Sequence, residues 1–190
     1  MAKVPILASI GHICLQWALL EMTVLGVIYA LEDIPHERGA IIYGGLDMLP
    51  RFNMAINLAR HHNAPRHITN ELAAIRKALQ DGIAERRNQA VHGAHADTDV
   101  LDEVQLTMVR WPHPKRTQTV KLEDLLGLAQ DIHDLQRRGW GVFEAIGAWK
   151  FGDHRSEDAG GKLAVRDTAP RLKLTQRLYA RIKHLWRGLR

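Results

Sequence analysis

The stretch VPILASIGHICLQWALLEMTVLGVIYAL, residues 4–31, decides the fold of this chain because almost every position in it is apolar. Its length is enough to span a bilayer. However, His12 and Gln16 interrupt it, and Glu21 near its centre would cost about 3 kcal/mol on membrane-insertion scales. The run is also too long for the apolar part of a signal peptide. We therefore predict a buried helix of a soluble bundle, with membrane insertion as the alternative.

The sequence predicts one inward-facing stripe on this first helix. Residues at helical spacing mark it: Ile10, Cys14, Trp17, Glu21, Leu25 and Ile28. Glu21 would then face other protein, either as a carboxylate at the rim of the core or as the partner of an arginine. Cys14 is the only cysteine, so an internal disulfide is excluded. A reducing compartment, the cytoplasm, fits this cysteine usage best.

Composition and charge divide the chain into a body and a basic tail. With 190 residues, of which 46 % are hydrophobic and 25 % charged, the chain has the composition of one compact globular domain. The net charge is +5. Residues 171–190 carry seven Lys or Arg and no Asp or Glu, whereas the remaining 170 residues carry 19 basic and 21 acidic side chains. The basic character therefore belongs to the tail.

Further helices are predicted in the middle of the chain. The segment 40–62 is interrupted at Gly44-Gly45 and at Pro50, which indicates two short helices or one kinked helix, and Phe52, Ile56 and Ala59 mark its inner face. The next helix is predicted from Thr69, as its N-cap, to a stop at Gly93, with Gly82 weakening it without breaking it. Its apolar stripe comprises Leu72, Ile75, Leu79, Ile83 and Ala90.

The rest of the body is predicted as a β-hairpin followed by a closing helix. After a loop at 94–99, alternating β-forming residues predict a short hairpin insertion near 104–121. A helix over 122–150 follows, with a bend at 139–141. Its stripe comprises Leu125, Ala129, Ile132, Leu135, Val142 or Phe143, and Ile146. The predicted fold class is therefore mainly α, an antiparallel helical bundle with one hairpin.

The predicted organisation is a helical domain at 1–150, a linker at 151–170 and a basic amphipathic helix at 171–190. The linker segment is polar and Gly-rich. The apolar stripe of the last helix consists of Leu174, Leu178, Ile182, Leu185 and Leu189. This stripe favours packing on the body or on a partner helix. The absence of acidic residues favours contact with RNA, and an anionic membrane surface is the third alternative.

A polar motif closes the helix that precedes the hairpin: Glu85-Arg86-Arg87-Asn88-Gln89-Ala90-Val91-His92-Gly93. Arg87 and His92 are distinguished from other Arg and His pairs by Asn88, by the glycine stop and by their place in the last helical turns. Asn88 and His92 lie one turn apart on the same face, with Arg87 about 100° round from Asn88. The negative end of the helix dipole favours the protonated form of His92.

The pattern Arg87-Asn88-x-x-x-His92 resembles the motif of the HEPN superfamily, in which an arginine is followed after four to six residues by a histidine. The likeness extends more weakly over residues 1–150. It implies a homodimer in which two motifs line one cleft and cut RNA without a metal or other cofactor, in defence or stress response. The implied products are a 2′,3′-cyclic phosphate and a 5′-hydroxyl. In this resemblance His92 transfers protons, Arg87 supplies positive charge, and Asn88 orients His92 or binds phosphate.

Other interpretations of the same residues stay open. In a non-catalytic module that binds RNA, a nucleotide or a protein partner, Arg87 would hold a carboxylate such as Glu21. Family members that are modified by a nucleotidyltransferase carry a tyrosine where this chain has Ala94, so that arrangement loses support. The expected RNA-binding residues are Arg86, Arg171, Lys173, Arg177, Arg181, Lys183 and Arg187. A metal site is not expected, because no helical histidine pair occurs among the nearby polar residues, His92, His95, Asp97 and Asp99.

Overall fold

A computed structural model describes residues 4–97, 103–108 and 116–151, which are mainly helical with a small antiparallel sheet. The elements are α1 Val4–Glu32, α2 His36–Tyr43, α3 Met48–His61, α4 Arg66–Ala78, a π-helical turn Leu79–Ile83, α5 Ala84–His92, β1 Ala94–Asp97, β2 Glu103–Met108, β3 Arg116–Lys121 and α6 Leu122–Phe151. This confirms the predicted mainly α class with a hairpin insertion. Apart from Phe151, the predicted linker and the basic helix at 171–190 lie outside the described residues.

The chain divides into two compact units. Within the described residues, the first unit comprises 4–23 and the described parts of 73–140, and the second comprises 24–72 and 141–151. The long helices α1 and α6 each contribute one part to each unit. The Arg87/His92 motif and the sheet belong to the first unit.

In the first unit, α1 and α6 lie side by side and run in the same direction. The amide of Gln16 contacts His133 at 3.2 Å, and further along both helices a Cβ on Gly139 would touch Thr23 at 3.2 Å. Gly139 therefore allows close approach of the two helices. The buried side chains of this unit include Ile13, Leu20, Ile75, Leu79, Leu125 and Ile132.

The second unit holds the end of α1 beside the end of α6. The ring of Phe143 lies against Gly26, and Lys150 donates hydrogen bonds to the carbonyl oxygens of Ala30 at 2.8 Å and Leu31 at 2.6 Å. Helix α3 contributes Phe52, Ala55, Ile56 and Ala59 to the buried core, which confirms the predicted inner face of Phe52, Ile56 and Ala59. Helix α2 approaches the core through Gly39, which is its one buried residue.

The stripe predicted on α1 is confirmed at Trp17 and Ile28, which are buried, but its phase is wrong at the other four positions. Ile10, Cys14, Glu21 and Leu25 are only half-buried. The fully covered stripe lies to one side: Ile6, Ile13, Leu20, Val24, Val27 and Leu31. A helix that is apolar on all sides carries no periodic signal that fixes its inward face. By length and composition α1 is able to cross a membrane, but 61 % of that apolar window is buried inside the protein, which fits the interpretation as a core helix.

The predicted boundaries of the middle helices are corrected at three points. The segment 40–62 forms two helices, α2 and α3, separated at Gly44-Gly45, which was one of the two expected forms. Thr69 is not an N-cap, because α4 begins at Arg66 directly after Pro65, whose fixed φ suits the start of a helix. Gly82 does interrupt the helix: it adopts φ 132° within the π-helical turn.

The sheet has one strand more than the predicted hairpin. Strands β2 and β3 pair as expected, with Val104 opposite Val120. Residues 94–97, expected in a loop, form β1, which pairs antiparallel with β2. The alternation in β2 buries Val104 and Leu106 and exposes Gln105. Helix α6 is continuous through the bend expected at 139–141, and every residue of its predicted stripe is buried.

Candidate functional site

The motif sits where α5 turns into the sheet. His92 is the last residue of α5, and the backbone N–H of Gly93 donates to the carbonyl of Gln89 at 2.9 Å. A Cβ at residue 93 would crowd that carbonyl and would contact Leu106 of β2 at 3.5 Å. Glycine therefore lets the chain pass tightly from α5 into β1. This junction fixes the backbone of His92 between a helix end and a strand.

Arg87 contacts both of the other predicted catalytic residues, His92 and Asn88. Its Nη1 lies 3.1 Å from Nε2 of His92 and 3.0 Å from Oδ1 of Asn88. A guanidinium only donates hydrogen bonds, so Nε2 of His92 must accept. In this arrangement His92 is neutral with its proton on Nδ1, and the imidazolium expected from the helix dipole would break the contact. His92 and Asn88 are exposed to solvent, whereas Arg87 is half-buried.

The indole ring of Trp17 packs against the guanidinium of Arg87. The guanidinium carbon lies 5.0 Å from the ring centroid of Trp17, within the range of a cation–π interaction. Trp17 is 6 % exposed, and its Nε1–H donates to Oε1 of Glu21 at 3.2 Å. Because the indole is fixed in the core, it offers a rigid platform on α1. The stack and the two hydrogen bonds together determine the position of the guanidinium.

Arg86 lies outside this cluster. Its Nη1 forms a salt bridge of 3.0 Å with Oδ2 of Asp131 on α6, and both side chains are about half exposed to solvent. Exposed pairs of this kind contribute little to stability, on the order of 0–1 kcal/mol. Adjacent arginines thus have different environments, one stacked on an indole and one at the surface.

The structure brings together some of the predicted residues and leaves others apart. Arg87, Asn88 and His92 form one contact cluster. Glu21, the expected carboxylate partner of Arg87, is linked to it through the indole of Trp17. The basic residues of the tail and Asp99 lie outside the described residues, within which no group of three or more His, Cys, Asp or Glu could hold a metal ion.

Two contributors to this region are not indicated by local sequence patterns. The sequence predicts Trp17 only as a core residue and assigns no role to Asp131. Both contacts join residues more than 40 positions apart, so no local spacing indicates them. One sign of this arrangement is present in the sequence. Glu21 lies four residues after Trp17 on the first helix, where its carboxylate is able to orient the indole.

A second polar cluster lies where α1 meets α6. The amide of Gln16 contacts Nε2 of His12 at 3.0 Å and Nδ1 of His133 at 3.2 Å. One end of an amide donates and the other accepts, so at least one imidazole must present a lone pair to it. Gln16 is 8 % exposed, and these contacts satisfy both of its polar atoms. The cluster therefore has a sufficient structural role.

No known protein family, curated protein or solved structure matches this chain. The chemistry of the motif therefore rests on its residues and their geometry.

Proposed function

We propose that the chain is a HEPN-type, metal-independent endoribonuclease that acts as a homodimer in the cytoplasm, in defence or stress response. The observation that carries the proposal is the contact of Arg87 with both His92 and Asn88 at the exposed end of α5. An imidazole, a fixed cation and an amide at one accessible point are the groups that RNA cleavage through the 2′-hydroxyl needs.

The proposed reaction is an internal transesterification. Neutral His92 takes the proton of the 2′-hydroxyl through Nε2 while the 2′-oxygen forms a bond to phosphorus. The bond from phosphorus to the 5′-oxygen breaks, and His92 of the partner subunit, as the imidazolium, donates the proton that this oxygen needs. The products are a 2′,3′-cyclic phosphate and a 5′-hydroxyl, and no oxidant, metal or water is consumed.

Arg87 would stabilise the charge that builds on the phosphate. Its guanidinium carries five N–H donors, of which Nη1 contributes to the His92 and Asn88 contacts. A phosphate that draws Nη1 away would free Nε2 of His92 for the 2′-hydroxyl. The indole of Trp17 would keep the guanidinium in place during this exchange.

The exposed face of α1 supports the proposed homodimer. It carries large apolar side chains at helical spacing, Val4, Leu7, Leu15 and Met22, each 56–68 % exposed. The positions between them on this face are small: Ala8, Gly11 and Ala18. An apolar face with this alternation of large and small side chains is complementary to itself across a two-fold axis.

RNA would reach the site along basic surface. Arg86 lies at the surface one residue before Arg87. Because the side chains of Arg86 and Asp131 are both half exposed, an RNA phosphate would be able to replace Asp131 as the partner of Arg86. The tail residues Arg171, Lys173, Arg177, Arg181, Lys183 and Arg187 would add phosphate contacts, whose strength falls steeply with salt concentration.

A binding module without catalysis is the second candidate. It is favoured by the same hydrogen bonds, because Arg87 already joins Asn88, His92 and the Trp17 platform into a stable helix end. In that case the groove would hold RNA, a nucleotide or a protein partner without breaking a bond. The two candidates differ in one measurable property, the cleavage of RNA.

The test is RNA cleavage in the presence of EDTA with the wild type, His92→Ala and a control, His67→Ala. His67 is also an exposed helical histidine, on α4. Because general acid–base groups contribute about 10²–10⁴-fold, we expect His92→Ala to lose at least about 100-fold in rate and His67→Ala to keep the wild-type rate. Mass spectrometry of the products should find the cyclic phosphate.

Two results would contradict the proposed nuclease activity. Equal cleavage by the wild type and His92→Ala would show that His92 is not catalytic. Binding of RNA by the wild type without cleavage of a mixed pool would favour the binding module.

A further inference from the structure

We infer that the outer face of α3, together with the turn into α4 and the start of α4, binds single-stranded RNA. Every side chain of this α3–α4 surface is exposed to solvent, and each is an amide, an arginine or a histidine: Asn53, Asn57, Arg60, His61, Asn63, Arg66, His67 and Asn70. The surface belongs to the second unit, whereas the Arg87 cluster belongs to the first. Binding of RNA here does not require cleavage, but the effect of this surface on the cleavage rate rests on the proposed function.

The first observation is the distribution of charge along the chain. Residues 48–70 contain three arginines, three histidines and no acidic residue. The rest of residues 1–170 contains 16 basic and 21 acidic side chains. Arg51 is buried, so Arg60 and Arg66 are the two arginines of this segment that reach solvent. Positive charge in the body is therefore concentrated at the α3–α4 surface, as a ligand of negative charge requires.

The cations of this surface are not neutralised by carboxylates. Arg60, Arg66 and His67 form no ion pair with another residue of the described ranges. Arg86, by contrast, is paired with Asp131. The two arginines of the α3–α4 surface therefore bind an anion without first giving up a partner.

A fixed turn connects the two helices that carry these cations. Only four residues separate the end of α3 from the start of α4. Asn63 adopts φ 56°, and its backbone N–H donates to the carbonyl of Arg60 at 3.0 Å. The N–H of Ala64 donates to the carbonyl of Ala59 at 2.8 Å. These two bonds form a Schellman motif, so both helix ends are held by one hydrogen-bonded backbone.

The charges at the start of α4 are unfavourable for the helix itself. Its first turn carries Arg66 and His67 and no acidic residue. The positive end of a helix dipole lies at the N-terminus, so cations there destabilise the helix and a nearby anion stabilises it. A phosphate bound by these side chains would therefore remove an unfavourable interaction as well as form new ones.

The neighbouring side chains favour RNA over an anionic membrane. Within the described residues, the large exposed apolar side chains lie on α1, α2 and α6, so the α3–α4 surface has none to insert into lipid. Asn53 and Asn57 lie one turn apart on α3, and Asn70 lies one turn after Arg66 on α4. Amide side chains bind phosphate oxygens and the edges of unpaired bases.

The test measures binding of the full chain to a 2′-O-methyl RNA oligonucleotide, which has no free 2′-hydroxyl and is therefore not cleaved. The double variant Arg60→Gln/Arg66→Gln is compared with the wild type. The control is Arg38→Gln/Arg137→Gln, which removes the same charge from exposed arginines on α2 and α6. Fluorescence anisotropy at several salt concentrations gives the affinity and its dependence on salt.

The expected result follows from the release of counterions by phosphate contacts. Each contact with a single strand contributes about 0.7 to the slope of log affinity against log salt concentration, so loss of two contacts should reduce the slope by about 1.4. The double variant should bind at least about tenfold more weakly than the wild type at about 0.1 M salt. The control should keep the wild-type slope and an affinity within about twofold of the wild type.

Two single variants separate binding from folding. Arg66→Glu places a carboxylate at the start of α4, so the urea midpoint of unfolding should rise while RNA binding weakens. Arg60→Glu places a carboxylate in the last turn of α3, so the midpoint should fall while RNA binding also weakens. A purely structural role of Arg66 would change stability and binding in the same direction, which would contradict the inference.

Equal salt slopes for Arg60→Gln/Arg66→Gln and the control would overturn the inference. It would also be wrong if the double variant lost affinity for phosphatidylserine vesicles or polyglutamate and kept its affinity for RNA. If the wild type binds the oligonucleotide through this surface but cleaves no RNA, the inference stands and only the proposed nuclease fails. In an active nuclease, the double variant should cleave at least about tenfold more slowly at low RNA concentration and at the wild-type rate at saturation.

Discussion

At the scale of single residues, Gly39 shows how one missing side chain fixes the position of an element. It is the buried residue of α2, and a Cβ there would overlap the ring of Tyr29. Tyr29 is itself 2 % exposed and stacks edge-on with His36, with 5.6 Å between ring centroids. The contact of α2 with the end of α1 therefore depends on glycine at residue 39.

The matching prediction compares Gly39→Ala with Gly127→Ala. Alanine at residue 39 should lower the free energy of unfolding by about 1–3 kcal/mol, since the ring of Tyr29 has to move. Gly127 lies on an exposed face of α6 with nothing within 4 Å of an added Cβ, so alanine there should raise it by about 0.5–1 kcal/mol. Urea unfolding at neutral pH measures both, and a stabilised Gly39→Ala would contradict the predicted overlap.

At the scale of elements, α6 closes the C-terminal end of α1. The last carbonyl groups of a helix have no partner inside it, and Lys150 of α6 donates to those of Ala30 and Leu31. Burial lowers the pKa of Lys150, while the nearby carboxylates of Asp33 and Glu32 oppose that shift. The ammonium is thus held at the negative end of the α1 dipole at the cost of partial desolvation.

Lys150 therefore makes stability depend on pH in a defined direction. The unfolded lysine keeps its proton up to its ordinary pKa of 10.5, whereas folded Lys150 loses it earlier, so its contribution to stability rises with pH toward that value. Burial raises the pKa values of Tyr29 and Tyr43 above 10.0. The contribution of these two tyrosines to stability falls only once the pH exceeds 10.0, so the effect of Lys150 on stability is measured below pH 10.0.

The prediction concerns Lys150→Met against the exposed control Lys121→Met. Removing the ammonium leaves two carbonyl groups without their donor, so the free energy of unfolding should fall by about 1–2 kcal/mol at pH about 7. The rise in the free energy of unfolding as the pH increases from neutral toward 10.0 should be smaller than in the wild type. Denaturant unfolding across this range measures both effects, and a wild-type pH slope in Lys150→Met would exclude Lys150 as its source.

At the scale of the whole molecule, the proposed reaction needs two copies of His92 and hence a dimer. The exposed apolar face of α1 is the surface that we assign to this contact. Its length is about 27 Å, from Val4 to Met22, at 1.5 Å per residue. Its apolar side chains would form the dry centre of the interface, with surrounding residues completing the area that a stable dimer needs.

The dimer prediction uses Leu15→Glu with Ile41→Glu as its control. Both wild-type side chains are exposed, Leu15 at 56 % and Ile41 at 85 %. Leu15 belongs to the exposed apolar face of α1, whereas Ile41 lies on α2 and serves as the control. Light scattering at micromolar concentration should give a dimer for the wild type and Ile41→Glu and a monomer for Leu15→Glu, because a buried unpaired carboxylate is costly. A monomeric wild type, or a dimer that tolerates Leu15→Glu, would remove this face as the interface.

Much of the candidate site was predictable from local sequence. Helical spacing places Asn88 and His92 on one face, and the glycine stop predicts that the motif ends a helix. The Trp17 platform and the surface pairing of Arg86 were not predictable, because each depends on residues far apart in the chain. The break at Gly82 was not predictable either, since a single glycine inside a helical pattern indicates only a weak position, whereas Gly82 adopts φ 132° and interrupts the helix.

The sequence by itself determined the mainly helical class, the hairpin and the inward faces of α3, α4 and α6, because alternation of apolar and polar residues specifies those faces. Tertiary structure decided the inward face of α1, the added strand β1 and the side-by-side course of α1 and α6. The physical reason is that a uniformly apolar helix and a short polar strand gain their stability from whatever packs against them.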